Sequence, residues 1–165
     1  MSIDDLASGV AELLDGRAVA CAESCTAGRI SEALAAVEGA SSWFAGALVA
    51  YQEHAKRSLL HVRARSVLSA EAAGEMAEGI ARLLEVPVAV ATTGVAGDQP
   101  VDGVGPGVVF IATRVGDETA TSIHRFEGNP DEVCDRAAEC ALTQLVEHLG
   151  TERADPAQSD VSSAR

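Results

Sequence analysis

Lysine and aromatic side chains are the scarcest materials in this chain. Lys56 is the only lysine, against eleven arginines, and 165 residues hold one tyrosine, one tryptophan and three phenylalanines. A core here must therefore be built from Ala, Val, Leu and Ile. Positive charge is short as well, since twelve Lys and Arg face twenty-five Asp and Glu for a formal net charge of −13. Nucleic acid and anionic membrane both need a basic face, so neither is expected as a partner. No apolar run is long enough to cross a bilayer, and the N-terminus lacks the basic and apolar regions of a signal peptide, which predicts a cytoplasmic chain. Cysteine is limited to Cys21, Cys25, Cys134 and Cys140, at spacings unlike those of a zinc site. They are expected to be reduced, with no metal and no cofactor implied.

What is present is ordinary for one globular domain: 47% hydrophobic and 22% charged residues. Ile3, Leu6, Val10, Leu13 and Leu14 mark an amphipathic first helix closed by Asp15-Gly16. Arg17 to Glu23 reads as a strand, Thr26 to about Val37 as a helix, and Trp43 to Tyr51 as a strand apolar enough to be covered on both faces. Glu53 to Leu60 reads as a short helix, and Ser69 caps a longer one with its core face at Ala72, Met76, Ile80, Leu83 and Leu84. Val86 to Ala91 is a third strand. Val108 to Val115 and Thr119 to Phe126 form a hairpin across Gly116-Asp117. Pro130 opens a last helix with Val133, Ala137, Ala141, Leu145 and Leu149 on its buried side. From Gly150 the chain is polar and patternless, which predicts one domain over residues 1–150 and a disordered tail over 151–165. Strands alternating with helices, plus one hairpin, give an α/β fold: a three-layer α/β/α sandwich on a mixed, mostly parallel five-stranded sheet.

Ligands in such sheets gather at the carboxyl ends of strands. That rule selects Glu23-Ser24, Tyr51 and Thr92-Thr93-Gly94. Glu23, Ser24, Cys25 and Thr26 stand where a strand turns into a helix, a place that suits an anion or a nucleophile generating an oxyanion. Plain helix capping by Ser24 or Thr26 explains the same residues. Lys56 lies five residues after Tyr51. A desolvated lysine can act as a general base, which an arginine cannot, and a Ser–Lys pair is a known nucleophilic solution. A solvated Lys56 on a short helix fits equally well. Cys25, at a helix start, is an alternative nucleophile.

The pattern Ala22-Glu23-Ser24-Cys25-Thr26-Ala27-Gly28, then Phe44 to Tyr51, Lys56, and Thr93-Gly94-Val95-Ala96-Gly97, resembles the CinA C-terminal domain family in its stand-alone form. The resemblance runs from Ile3 to Leu149. It implies a nicotinamide-nucleotide amidohydrolase that cuts the carboxamide of nicotinamide mononucleotide to nicotinate mononucleotide and ammonia, and a homo-oligomer. Ser24 would be the nucleophile, Lys56 its base and Tyr51 an assistant. Backbone N–H groups at the start of the second helix would hold the oxyanion. Glu23, Cys25, Thr26, Thr93, Gly94, Gly97 and Arg136 would face the substrate. The chain departs from the family at Ala27, which replaces a glycine, in the lysine-free loop Asp98 to Gly107, and at Pro130 and Cys134, which stand in place of two arginines. Arg136 and Arg125 are the nearest substitutes in sequence. A catalytically impaired binding or protein-interaction module, or an amidase with another substrate, are the alternative readings.

Overall fold

A computed structural model describes residues 1–154. The elements are α1 (Ile3–Leu14), β1 (Val19–Glu23), α2 (Arg29–Ala36), β2 (Phe44–Val49), α3 (Glu53–Leu60), α4 (Ala70–Leu84), β3 (Val88–Gly94), β4 (Val108–Val115), β5 (Glu118–Arg125) and α5 (Pro130–Ala154), with one 3₁₀ turn at Ala40–Ser42. The sheet order is β2-β1-β3-β4-β5. β1 runs parallel to β2 and β3, while β4 runs antiparallel to β3 and β5. This is the mixed five-stranded α/β architecture expected from the alternation of patterns.

The two faces of the sheet are built from different side chains. Val19, Cys21, Val88, Val90, Val109 and Ile111 pack against α1, α2 and α5. Ala20, Ala22, Ala89, Ala91 and Ala112 pack against α4, which answers with Ala72, Ala73, Ala77 and Ala81. Small residues on both sides let helix and sheet approach closely, which is how a core with few rings is filled. The same economy brings α3 onto α4. A Cβ added at Gly79 would lie 2.3 Å from the carbonyl oxygen of Leu60, so only glycine fits there.

Several expectations need correction. β3 begins and ends later than its apolar run, because Thr92, Thr93 and Gly94 pair with β4. β2 is not covered on both faces: it is an edge strand, and Ala45, Ala47 and Val49 remain exposed. α5 does not stop at Leu149 but runs through the polar residues to Ala154, where Arg17 bonds Glu152 at 2.7 Å and Arg153 reaches Asp15 at 3.6 Å. The rest of the expected tail, residues 155–165, lies outside the described residues. Among the described residues no helix is long and apolar enough to cross a membrane.

Candidate active site

At the end of β1 the chain makes a tight turn before α2, and a buried carboxylate organises it. Glu23 is fully buried. Its Oε2 accepts from Thr26 Oγ1 at 2.7 Å, Gly28 N at 3.0 Å and Ile30 N at 3.2 Å, and its Oε1 accepts from Ser31 N at 2.8 Å. Those backbone groups are the donors that the first turn of a helix leaves unpaired. Glu23 therefore caps α2 from the preceding strand and occupies the positive end of its dipole. The N-cap position is Gly28, in the left-handed region at φ 102° with no side-chain cap of its own. This overturns two expectations together: neither Ser24 nor Thr26 is the N-cap, and the helix starts at Arg29 rather than Thr26. The Glu23 carboxylate, expected to face a substrate, is turned to these four donors.

Thr26 gives its one hydroxyl proton to Glu23, so in its 2.8 Å contact with Thr92 the Thr92 hydroxyl must donate. Thr26 is thus fully buried and engaged. Ser24 differs from its neighbours. Only 4% of it is exposed, and its Oγ makes no hydrogen bond among the described residues. No side-chain oxygen or nitrogen there is both sealed from solvent and unpartnered, so Ser24 Oγ keeps a point of access. The N–H groups of Cys25 and Thr26 are not among the donors to Glu23, and neither enters the backbone bonds of the turn.

Lys56, on α3, is 3% exposed and its Nζ reaches only the carbonyl oxygen of Tyr51, at 3.4 Å. Burial lowers its pKa below the usual lysine value, opposed by the fields of Cys25 and Glu53. Lys56 is close enough to act electrostatically on the Cys25 thiol. That thiol is pushed up to about 12, first by burial and then by the neighbouring Cys134. A thiol so held is protonated near neutrality, as a serine hydroxyl is, so its position at the turn gives Cys25 no advantage as the nucleophile. Cys134 is itself raised by burial and donates its Sγ–H to the carbonyl oxygen of Cys25 at 2.9 Å.

The remaining expected site residues lie on β3, on α5 and in two loops. The Tyr51 side chain is 66% exposed, and only its carbonyl meets Lys56. Thr93 is fully buried and donates to the carbonyl oxygen of Val67 at 2.8 Å. Gly94 lies against β4, where an added Cβ would come 2.5 Å from the Val108 carbonyl oxygen, so its role is close packing. Gly97 is exposed in an open loop. Arg136 is exposed on α5 and donates to the carbonyl oxygen of Glu127 at 2.9 Å. The cation that does reach the turn is Arg29. It donates to the Thr26 carbonyl at 3.3 Å and pairs with Asp135 at 2.6 Å and Asp131 at 3.1 Å. Arg29 sits inside the motif, but its two partners lie more than a hundred residues away, one turn apart on α5, and no local signal pairs them. Among the described residues no cluster of His, Cys, Asp and Glu could hold a metal ion.

Comparison with known proteins covers almost all of the fold. The model of the CinA C-terminal domain family matches residues 4–149. A CinA-like protein of Mycolicibacterium vanbaalenii is 37% identical over 144 residues, 82% of this chain and 34% of its own length. A CinA-like protein of Thermotoga neapolitana is 35% identical over 139 residues, 81% of this chain and 34% of its own. The chain thus spans about a third of these curated relatives. Among solved structures, a CinA superfamily protein from Klebsiella pneumoniae superposes with TM-score 0.87 at 30% identity, over 92% of this chain and 99% of that one. One from Escherichia coli gives 0.85 at 28% identity, over 89% and 90%.

Proposed function

The chain belongs to the CinA C-terminal domain family, and within it we propose that it hydrolyses the carboxamide of nicotinamide mononucleotide through Ser24 and Lys56. One observation carries the reading: an unbonded, solvent-touched serine hydroxyl and the single, desolvated lysine both lie at the carboxyl ends of adjacent parallel strands. Burial favours the neutral amine, which is the form able to take the Ser24 proton. Ser24 Oγ attacks the amide carbon, and the oxyanion lies against the N–H groups of Cys25 and Thr26, since Gly28, Ile30 and Ser31 are bonded to Glu23. Protonated Lys56 returns the proton to the departing ammonia, and water then opens the acyl-enzyme. In this reading Arg29 receives the phosphate, exchanging Asp131 or Asp135 for it.

The test is ammonia release from nicotinamide mononucleotide by the full chain, with Lys56→Ala and Arg29→Ala beside it. Turnover lost in the first and a raised KM in the second are the expected results. Absence of turnover in folded wild-type protein would overturn the reading. A second reading is favoured by Cys134 and Arg136, neither of which offers a free cation at the turn: the substrate is an amide without a phosphate. Turnover of nicotinamide riboside exceeding that of the mononucleotide would select it.

A further inference from the structure

A second place in the molecule gathers positive charge, away from Ser24. A cavity of about 450 Å³ opens between the end of α3, residues 61–63 and α4. Sites for small molecules span roughly 300–1,000 Å³. His61, Arg63 and Arg82 line it, together with Glu75 and Glu78. The wall is firmly built. Arg57 donates to the carbonyl oxygens of Val62 and Ala64 at 3.2 and 3.0 Å, while Glu75 Oε2 accepts from the N–H groups of Arg63 and Ala64 at 2.7 and 2.8 Å. His61 holds a left-handed backbone at φ 56°, which leaves its ring exposed at the rim.

Five arginines, Arg63, Arg65, Arg82, Arg125 and Arg136, are in no ion pair among the described residues, and two of them line this one cavity. With twenty-five carboxylates to twelve cations, an arginine has many partners to choose from. Arg17, Arg29, Arg57, Arg114 and Arg153 are ion-paired. Arg63 and Arg82 are in no ion pair among the described residues, and Arg82 makes only a 3.4 Å bond to the carbonyl oxygen of Leu60. Two free guanidinium groups beside an imidazole match a phosphate, which accepts bidentate bonds from arginine. Glu75 Oε2 already accepts two N–H donors, while Glu78 meets only Thr119, at 3.5 Å. Glu78 is therefore left to accept from hydroxyl or amino groups on the same ligand.

We propose that this cavity binds a small phosphate monoester that also carries hydroxyl or amino donors, its phosphate on Arg63, Arg82 and His61 and its donors on Glu78. The experiment is an amide-resolved NMR titration of the full chain at constant ionic strength, with glycerol 3-phosphate and, as a donor-free control, methyl phosphate. Saturable shifts at the amides of His61, Arg63 and Ala64 are expected, with glycerol 3-phosphate binding the tighter. The double variant Arg63→Gln/Arg82→Gln should weaken binding about tenfold or more, as loss of charge-assisted bonds does. Both side chains are exposed, so the variant should keep the remaining spectrum, and Arg153→Gln, at the far end of α5, should bind as wild type does. Shifts confined to Cys25–Gly28, unsaturable drift, no shift, or binding undiminished in the double variant would each overturn the proposal. None of these outcomes depends on whether the chain cleaves an amide.

Discussion

The β1–α2 turn and the β2–α3 turn stand side by side at the ends of two adjacent parallel strands, joined by the bond from Ala50 N to the Glu23 carbonyl oxygen at 2.8 Å. The first is sealed: a fully buried carboxylate collects four donors within eight residues of chain. The second is open: Gln52 makes no side-chain cap to α3, Tyr51 projects outward, and Lys56 has one long bond. The Ser24 backbone is therefore fixed by hydrogen bonds on both sides, whereas the Lys56 ammonium is placed by burial and one long bond. A nucleophile benefits from a rigid position, while a base that must take up and deliver a proton benefits from freedom to swing.

The largest effect should come from breaking the sealed turn. Glu23→Ala leaves four buried or half-buried donors without an acceptor, each worth about 1–3 kcal/mol. A loss of more than about 4 kcal/mol is expected on that basis, read as a lowered urea midpoint. A loss below about 1 kcal/mol would show that water replaces the carboxylate and that the turn is not sealed.

Next in size is Lys56, the proposed base. Lys56→Ala should lower amide turnover by about 10²- to 10⁴-fold, the usual contribution of a general base, with stability little harmed. The pH dependence has a definite sign. Burial sets the folded pKa of Lys56 below its ordinary 10.5, so between the two values the unfolded chain binds more protons. Stability from this group therefore rises with pH through that window and levels off near 10.5. Urea unfolding across the window should show this slope as the difference between wild type and Lys56→Met, because the buried cysteines, whose raised pKa values give an opposing slope, are common to both. Because the chain has one lysine, a ¹³Cε-lysine label gives a single side-chain signal whose titration reads the lowered pKa directly.

A smaller change sharpens the contrast from the open side. Gln52→Asp supplies α3 with the cap that it lacks, and a cap is worth about 1 kcal/mol. A gain of that order in thermal unfolding is expected. No gain would mean that the start of α3 is held by its neighbours rather than by its own ends.

How far all this can be read from the sequence differs between the two turns. Helices and strands follow from periodicity, which is why α1, α4 and the β4–β5 hairpin fall close to where Leu6, Met76 and Gly116 put them. Ser24 and Lys56 stand out by residue type at strand ends. The role of Glu23 does not, because a charged residue at a strand end normally points to water, and only the closed packing of α2 on β1 turns it inward. Arg29 depends on Asp131 and Asp135 across the fold, as the last turn of α5 depends on Arg17 and Asp15. Tertiary ion pairs leave no periodic trace in sequence.

The smallest expected effect is the most informative about the open turn. Tyr51 is expected to assist Lys56 from its place at a strand end and from the resemblance, yet its side chain lies two-thirds in solvent. An exposed hydroxyl contributes little beyond one water-competed hydrogen bond of about 0.5 kcal/mol, which converts to roughly a twofold change in rate. Tyr51→Phe should then leave kcat within about threefold of wild type, with any change confined to KM. A loss comparable to that of Lys56→Ala would require the ring to swing inward when substrate binds. The open turn would then be the mobile half of the site, closing over a substrate held by the rigid half.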